Sequence, residues 1–118
     1  MEYTQESLLD MAIINGLKEL DDDGSDSFFQ EVLAVFTDDF PLITKKIAAA
    51  IEENRPDDLA KVAHALKGAS LCIGAKELSA RCRTIEFKGR DKHLENMDEL
   101  LQSLNTVFAA TLAEINNL

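Results

Sequence analysis

Residues 28–54 read FFQEVLAVFTDDFPLITKKIAAAIEEN, a stretch long enough for about seven helical turns. Its apolar side chains recur every three or four residues, at positions 28, 32, 36, 40, 43, 47 and 51. That spacing predicts one long amphipathic helix with a continuous apolar face. Pro41 lies inside it and removes one backbone hydrogen bond, so we expect a kink there or, as the alternative, a break into two helices.

The rest of the chain carries the same helical periodicity and no strand-like alternation. We expect a short helix after Asp10 as N-cap, the long helix from Ser25, and further helices over about 56–73, over about 76–88 and from about 94 onward. Gly74 and Gly89 are the predicted stops of the two middle helices. Four long helices with short connections predict an all-α fold, an antiparallel up-down-up-down four-helix bundle with an additional short N-terminal helix.

Composition restricts the class of protein. The chain of 118 residues has the length of one domain and a net charge of −10, which argues against nucleic acid or an anionic membrane as partner. It has no apolar run near 18 residues and no signal-like start, so we expect a cytoplasmic protein. The initial methionine and the complete bundle favour a whole protein, a single domain over residues 1–118.

Two cysteines, Cys72 and Cys82, lack the spacing and the histidine partners of a zinc site. We therefore expect no bound metal and two reduced thiols that pack like small apolar side chains.

The charge is unevenly distributed along the chain. Residues 59–92 hold eight basic and three acidic side chains, a local net charge of +5, so the remainder carries −15. Asymmetry of this kind indicates a local partner of negative charge, although a helix with solvated lysines gives the same pattern.

A helical wheel gives the direction of His64 within VAHALKGASLCIGA, residues 62–75. The apolar positions of this helix lie about 140–220° away from the histidine, so the ring should face solvent. Gly68 costs the helix roughly 1 kcal/mol relative to alanine. Because helical side chains lean toward the N-terminus, a side chain at position 68 would cover the imidazole. Glycine therefore leaves His64 open, and Lys67 places an ammonium beside it.

An exposed imidazole beside a cation has several possible roles. A general base needs a substrate cleft, which one helix face does not supply, and a metal ion would be repelled by Lys61 and Lys67. A nucleophile toward a phosphoryl group needs access, a cation and no repelling carboxylate, and residues 59–76 offer all three. An ordinary surface histidine remains the alternative.

The stretch AHALKGASLCIGA resembles the H-x-L-K-G-x-S-x-x-x-G-A signature of histidine-containing phosphotransfer (HPt) domains of two-component phosphorelays. The matching positions are His64, Leu66, Lys67, Gly68, Ser70, Gly74 and Ala75. The flanking segments, FFQEVLAVFTDDFPLITKKIAAAIEEN and LSARCRTIE, are similar to the family as well. Leu71, Cys72 and Ile73 are bulkier than the small residues often found there.

The resemblance implies that His64 accepts a phosphoryl group at Nε2 from a receiver-domain aspartyl phosphate and relays it to another receiver aspartate. Lys67 would compensate the phosphoryl charge, and Gly68 would let the partner approach. The wheel turns Ser70 inward, so we expect it to bond its own backbone or a neighbouring helix rather than the phosphate.

The expected partners are receiver domains of response regulators or hybrid histidine kinases. We expect this protein to bind them as a monomer. We expect Lys61, Gly68 and Leu71 to contact the partner together with Ile13 and Leu17, although the last two have the alternative of simply capping the bundle. No phosphate-binding glycine loop is present, so the protein is expected to be a stoichiometric carrier rather than an enzyme, with no cofactor of its own and magnesium only in the receiver. A non-catalytic adaptor that binds a receiver or kinase domain is the second hypothesis.

Overall fold

The computed structural model describes residues 3–118, and every regular element in that range is a helix. The six helices are α1 (Gln5–Leu8), α2 (Met11–Lys18), α3 (Ser27–Glu52), α4 (Pro56–Cys72), α5 (Lys76–Arg90) and α6 (Asp98–Asn116). Within the described range, no helix is long and apolar enough to cross a lipid bilayer.

The four long helices, α3 to α6, form the predicted bundle. Helix α4 packs against both α3 and α5, and α5 packs against α6. Helix α6 contacts α3 and so completes the four-helix bundle. At this contact the aromatic rings of Phe108 and Phe40 stack with their centroids 3.6 Å apart. Buried aliphatic side chains from all four helices fill the centre, among them Ile47, Leu59, Leu66, Leu78, Ile85, Leu104 and Val107. The all-helical fold expected from the sequence is thus confirmed.

The N-terminal region holds two short helices, where the sequence predicted one. The predicted helix is α2, and Asp10 is its N-cap as expected, with Oδ1 accepting hydrogen bonds from the backbone amides of Ala12 and Ile13. The additional helix, α1, begins with a capping box between Thr4 and Ser7 and packs against α5 and α6. Four residues are too few to show a helical repeat, so periodicity could not reveal it.

Helix α3 begins at Ser27 rather than at Ser25, because its cap comes from further back in the chain. The carboxylate of Asp21 accepts hydrogen bonds from the backbone amide of Phe28 at 2.7 Å and from the hydroxyl of Ser27 at 3.3 Å. The helix then continues without interruption through Pro41, which excludes the predicted alternative of two separate helices. The kink at Pro41 stays a prediction.

The apolar face of α3 is rotated at its N-terminal end relative to the prediction. Phe29 and Leu33 are buried in the core, whereas Phe28 is exposed and Val32 is half-buried. Since 28–29 and 32–33 are pairs of adjacent apolar residues, periodicity alone does not decide which member of each pair faces inward.

The two predicted helix stops have different outcomes. Gly74 follows α4 with φ +81° and ends it as expected. Gly89 does not end α5, which continues to Arg90. A Cβ at position 89 would lie 2.8 Å from the backbone nitrogen of Ala60 and from the backbone oxygen of Pro56. The glycine is therefore where α5 crosses α4 at close range, a role that its place near the end of a sequence pattern does not disclose.

Candidate functional site

His64 projects from α4 into solvent, with 61% of its side chain exposed. The residues on the opposite side of α4, Leu59, Ala63 and Leu66, are fully buried. The orientation derived from the helical wheel is therefore confirmed. Ser70 also follows its prediction, since its hydroxyl is buried and donates to the backbone oxygen of Leu66 at 2.8 Å.

The inner nitrogen of the imidazole contacts a buried carboxylate from α5. His64 Nδ1 lies 2.9 Å from Glu86 Oε2, and the Glu86 side chain is only 1% exposed. An ionised carboxylate can only accept hydrogen bonds, so Nδ1 carries the proton and donates it to Glu86. In the neutral ring, Nε2 is then left with its lone pair available at the exposed edge.

Glu86 receives two further donors, both cationic. Lys67 Nζ donates to Glu86 Oε1 at 2.7 Å, and the guanidinium of Arg90 donates to Oε2. Burial by itself raises the pKa of Glu86, but the hydrogen bonds from Lys67 and His64 and the charge of Arg90 outweigh it, so the pKa lies below its ordinary value of 4.5. The buried group is thus an ionised carboxylate at neutral pH, satisfied by three donors.

Sequence reasoning missed Glu86, because it asked only whether acidic residues interrupt α4. None does between residues 59 and 76, yet α5 supplies a carboxylate directly beneath the ring. A signal was available: Glu86 follows the inward-facing Cys82 by four residues and so falls on the buried stripe of α5. A charged residue on such a stripe indicates a polar partner inside the fold.

Lys67 lies beside the histidine as expected, but its ammonium is not free. Its contact with Glu86 Oε1 tethers it to the same carboxylate that holds the ring. An ammonium has three N–H donors, so two remain for another anion.

The surface next to His64 is open at Gly68. Nothing among residues 3–118 lies within 4 Å of the position that a Cβ on this glycine would take, apart from its chain neighbours and the backbone of its own helix. Gly68 is therefore not required by packing, in contrast to Gly89. That this glycine gives a partner access to the ring stays a prediction.

An exposed imidazole with a defined tautomer, an adjacent cation and an uncovered approach has the chemistry of a nucleophile. A protein-family model described as the Hpt domain matches residues 31–116, which include the whole of this site. The chain belongs to the Hpt domain family.

Relatives of this Hpt domain occur among plant proteins. It is 30% identical to "Histidine-containing phosphotransfer protein 2" of Arabidopsis thaliana over 105 residues, which cover 86% of this chain and 67% of that protein. It is 32% identical to "Pseudo histidine-containing phosphotransfer protein 2" of Oryza sativa subsp. japonica over 92 residues, which cover 76% of this chain and 61% of that protein. The chain thus spans about two thirds of the length of these relatives.

Two solved structures resemble this Hpt domain in fold. Histidine-containing phosphotransfer protein MtHPt2 from Medicago truncatula superposes with a TM-score of 0.83 at 26% identity, covering 96% of this chain and 78% of that one. Histidine-containing phosphotransfer protein B (HptB) from Pseudomonas aeruginosa PAO1 gives 0.80 at 24% identity and covers 92% of each chain. At that identity the second likeness is one of fold alone.

The predicted partner-binding residues of the Hpt domain are only partly brought together. Lys61 and Leu71 are exposed on the His64 face of α4. Helix α2, which carries Ile13 and Leu17, lies instead at the Gly74 end of α4, where the amide of Asp10 donates to the oxygen of Gly74 at 2.7 Å. Eight residues of helix, about 12 Å, separate His64 from Cys72, where α4 ends just before Gly74. Ile13 and Leu17 are half-buried there, and their contact with a partner stays a prediction.

A groove of about 460 Å³ lies between α3 and α4, and sequence reasoning did not identify it. We name it the apolar groove, and its walls include Phe28, Val32, Val35, Ala69 and Cys72, with Glu31 and Asp39 also lining it. Its α4 wall begins at Ala69, five residues after His64 but on a different face of the helix.

The two cysteines differ in environment, contrary to the expectation that both are packed. Cys82 is buried, and burial raises the pKa of its thiol to about 12, which leaves it protonated and unreactive. Cys72 is exposed in the wall of the apolar groove. Neither forms a disulfide.

The Glu86→Gln variant tests the buried carboxylate through its pH dependence. A depressed pKa means that Glu86 stabilises the folded state above its unfolded pKa, and that this contribution is lost as pH falls through the lower, folded pKa. Glutamine cannot balance Lys67 and Arg90, so we expect about 1–3 kcal/mol of lost stability at pH 7. The difference from the parent should shrink below pH 4.5, as measured by urea unfolding at several pH values.

The exposed Glu99 provides the matched control, because Glu99→Gln removes the same charge from the surface. A stability difference for Glu86→Gln that is no larger than that of Glu99→Gln, or that stays constant with pH, would contradict the assignment of Glu86 as an ionised buried group.

Proposed function

We propose that this Hpt domain is a phosphocarrier in a two-component phosphorelay, in which His64 accepts a phosphoryl group from a receiver-domain aspartyl phosphate and passes it to another receiver aspartate. The observation that carries the proposal is the exposed imidazole of His64 held at Nδ1 by the buried Glu86. Membership of the Hpt family supports the class of reaction.

The chemistry follows from the tautomer. The lone pair on Nε2 attacks phosphorus, a bond between Nε2 and phosphorus forms, and the bond between phosphorus and the aspartyl oxygen breaks, releasing the donor carboxylate. The ring still carries its proton at Nδ1 and becomes cationic. Glu86 accepts that proton's hydrogen bond and balances the new charge, so the buried carboxylate stabilises the phosphorylated state without entering a covalent bond. Onward transfer is the reverse process with a second carboxylate.

Lys67 is proposed to stabilise the phosphoryl oxygens with the donors not engaged by Glu86. Phosphoryl transfer needs mainly positioning and charge compensation, so this chain has to supply only a nucleophile and a cation. We therefore infer a stoichiometric carrier without an ATP site or a cofactor of its own, with magnesium supplied by the receiver. The proposed setting is the cytoplasm.

The partner is proposed to seat over the open surface at Gly68, contacting Lys61 and Leu71 on α4 and extending into the apolar groove. A receiver domain presents its aspartate from a larger surface, and a standard interface covers roughly 800 Å² on each partner. Leu71, 46% exposed on the His64 face of α4, is an apolar side chain suited to that contact. Ile13 and Leu17 would join only if the partner reaches the Gly74 end of α4.

A non-catalytic adaptor is the second candidate function. One relative is a specific reason to consider it, because the name of the rice protein contains the word "pseudo". Similarity to that protein leaves both functions open. The geometry favours the carrier, because binding alone would not require an imidazole whose inner nitrogen is held by a buried carboxylate.

Transfer from charged receivers tests the two functions against each other. A panel of receiver domains is phosphorylated with radiolabelled acetyl phosphate and mixed with the protein, and we expect at least one to pass label to this chain within minutes. The label should be acid-labile and base-stable, as for a phosphoramidate, and should map to His64 by mass spectrometry. Tight binding of a charged receiver with no transferred label would instead establish the adaptor.

The Gly68→Gln variant tests the role of the open surface. Glutamine is a better helix former than glycine and has room here, so we expect stability to be unchanged or to rise by up to about 1 kcal/mol. Its side chain would cover the ring, and transfer from a receiver should slow by roughly 100-fold. Time courses of label transfer, quenched at successive times, measure the transfer rate. Urea unfolding measures the stability. Gly68→Ala is the control with the smallest added group, and parental transfer by Gly68→Gln would refute the steric explanation.

A further inference from the structure

A second groove lies on the other flank of α4 from the apolar groove, between α4 and α5. We name it the cationic groove, and it has a volume of about 450 Å³. Its principal lining side chains are Lys67, Leu71, Lys76, Arg83, Phe87 and Arg90. It continues directly from the His64 site, because Lys67 and Arg90 belong to both through their contacts with Glu86.

The charge in this groove is almost entirely positive. Four of its lining side chains are cationic, and among the described lining residues only Glu86 is acidic. Glu86 is 1% exposed and already accepts hydrogen bonds from His64, Lys67 and Arg90, so it offers nothing to a ligand. The exposed surface of the groove is therefore cationic on a chain whose net charge is −10.

The floor of the groove is apolar. Leu71 and Phe87 are each 46% exposed, which is a large exposure for side chains of this kind. The guanidinium of Arg83 lies over the ring of Phe87, 5.1 Å from its centroid, so the aromatic surface and the cation are presented together. An acidic polypeptide segment that carries an aliphatic or aromatic side chain matches this combination.

The position of the cationic groove beside His64 indicates which molecule would carry such a segment. A protein that places a phosphoryl group at Nε2 of His64 must cover the surface around the ring, and an interface of roughly 800 Å² on this side extends beyond the ring's immediate neighbours. The cationic groove borders the site through Lys67 and Arg90, so a partner seated on the site would also cover the groove.

We propose that the cationic groove binds an acidic, apolar-tipped segment of the receiver domain that exchanges phosphate with His64. This inference rests on the proposed function and deepens it by assigning the chemistry of the partner's surface beside the transfer site. Lys76 and Arg83 contact the partner outside the transfer site, whereas Lys67 and Arg90 stay bound to Glu86. The groove therefore governs association and the choice among receivers, not the chemical step.

The double variant Lys76→Glu with Arg83→Glu tests the proposal, because both side chains lie outside the His64–Glu86 network. Lys45→Glu with Lys46→Glu is the matched control, which changes the net charge equally at two exposed positions on α3. The probe is the receiver domain that labels the parent fastest in the panel. Initial transfer rates are measured against receiver concentration at low and at high salt.

For the groove variant we expect the apparent KM to rise by roughly tenfold or more at low salt, with the rate at saturating receiver within about twofold of the parent. The difference should shrink in about 0.5 M salt, because screening weakens exposed charges. The control variant should stay within about threefold of the parent. Labelling of His64 by the small donor phosphoramidate should be unchanged in both, which shows that the nucleophile and the fold are intact.

Equal KM values for the groove and control variants would overturn the assignment of the cationic groove while leaving the phosphocarrier function standing. A fall in the saturating rate with unchanged KM would overturn it as well, since it would place these cations in the chemical step. Failure of every receiver to label the parent would instead refute the proposed function, and the inference with it.

Discussion

The His64→Gln variant is expected to carry no acid-labile phosphate after incubation with any charged receiver domain. The amide nitrogen of glutamine has no lone pair available for attack on phosphorus, so transfer should fall by more than about 1,000-fold, to background. The fold should persist, because the side chain is mostly exposed and a glutamine amide can still donate to Glu86. Radiolabel transfer measures the first effect, and thermal unfolding should show a stability change within about 0.5 kcal/mol.

His93→Gln is the matched control, since the only other histidine is equally exposed and lies near Glu95 rather than Glu86. This variant should accept label at the parental rate. Label on His64→Gln at a rate comparable with the parent would place the acceptor on another residue and would end the case for His64.

The Gly89→Ala variant is expected to lose much of its stability through a single added methyl group. That carbon would lie 2.8 Å from the nitrogen of Ala60 and the oxygen of Pro56, and both are main-chain atoms that cannot turn away. Separating α5 from α4 to make room should cost about 3 kcal/mol, at the upper end for overpacked interiors. Urea unfolding gives the measurement. Because Glu86 lies one turn before Gly89 on the same helix, transfer should slow too.

Gly68→Ala makes the same chemical change in the same bundle without the contact. We expect it to gain about 0.5–1 kcal/mol, as glycine-to-alanine changes do within helices. The opposite signs of the two variants separate a glycine needed for packing from one needed for access. Equal stability changes at positions 68 and 89 would show that the close crossing of α4 and α5 is not rigid.

The parts of this molecule that sequence predicts are those governed by one helix at a time. The direction of His64 depends only on the apolar stripe of α4, so a wheel was sufficient, and the Asp10 cap and the Gly74 stop are equally local. The phosphotransfer signature added the family, which the match over residues 31–116 establishes.

The features that the sequence did not predict depend on contacts between two separate segments of the chain. Glu86 matters because α5 places it beneath a ring on α4, and Gly89 matters because the backbone of α4 passes beside it. Asp21 caps α3 from seven residues before Phe28, across a turn whose path the sequence does not specify. In each case the sequence gives the residue type but does not show which residue it contacts in the folded protein.

The Glu86 carboxylate, which accepts hydrogen bonds from three donors, makes the His64 site a unit to which both α4 and α5 contribute. Removing Glu86 would leave Lys67 and Arg90 as like charges facing each other, and moving α4 alone into another bundle would leave its imidazole without a defined tautomer. Transplanting the proposed activity onto a designed scaffold would therefore require His64, Lys67, Glu86 and Arg90 together, at the interhelical distance that Gly89 permits.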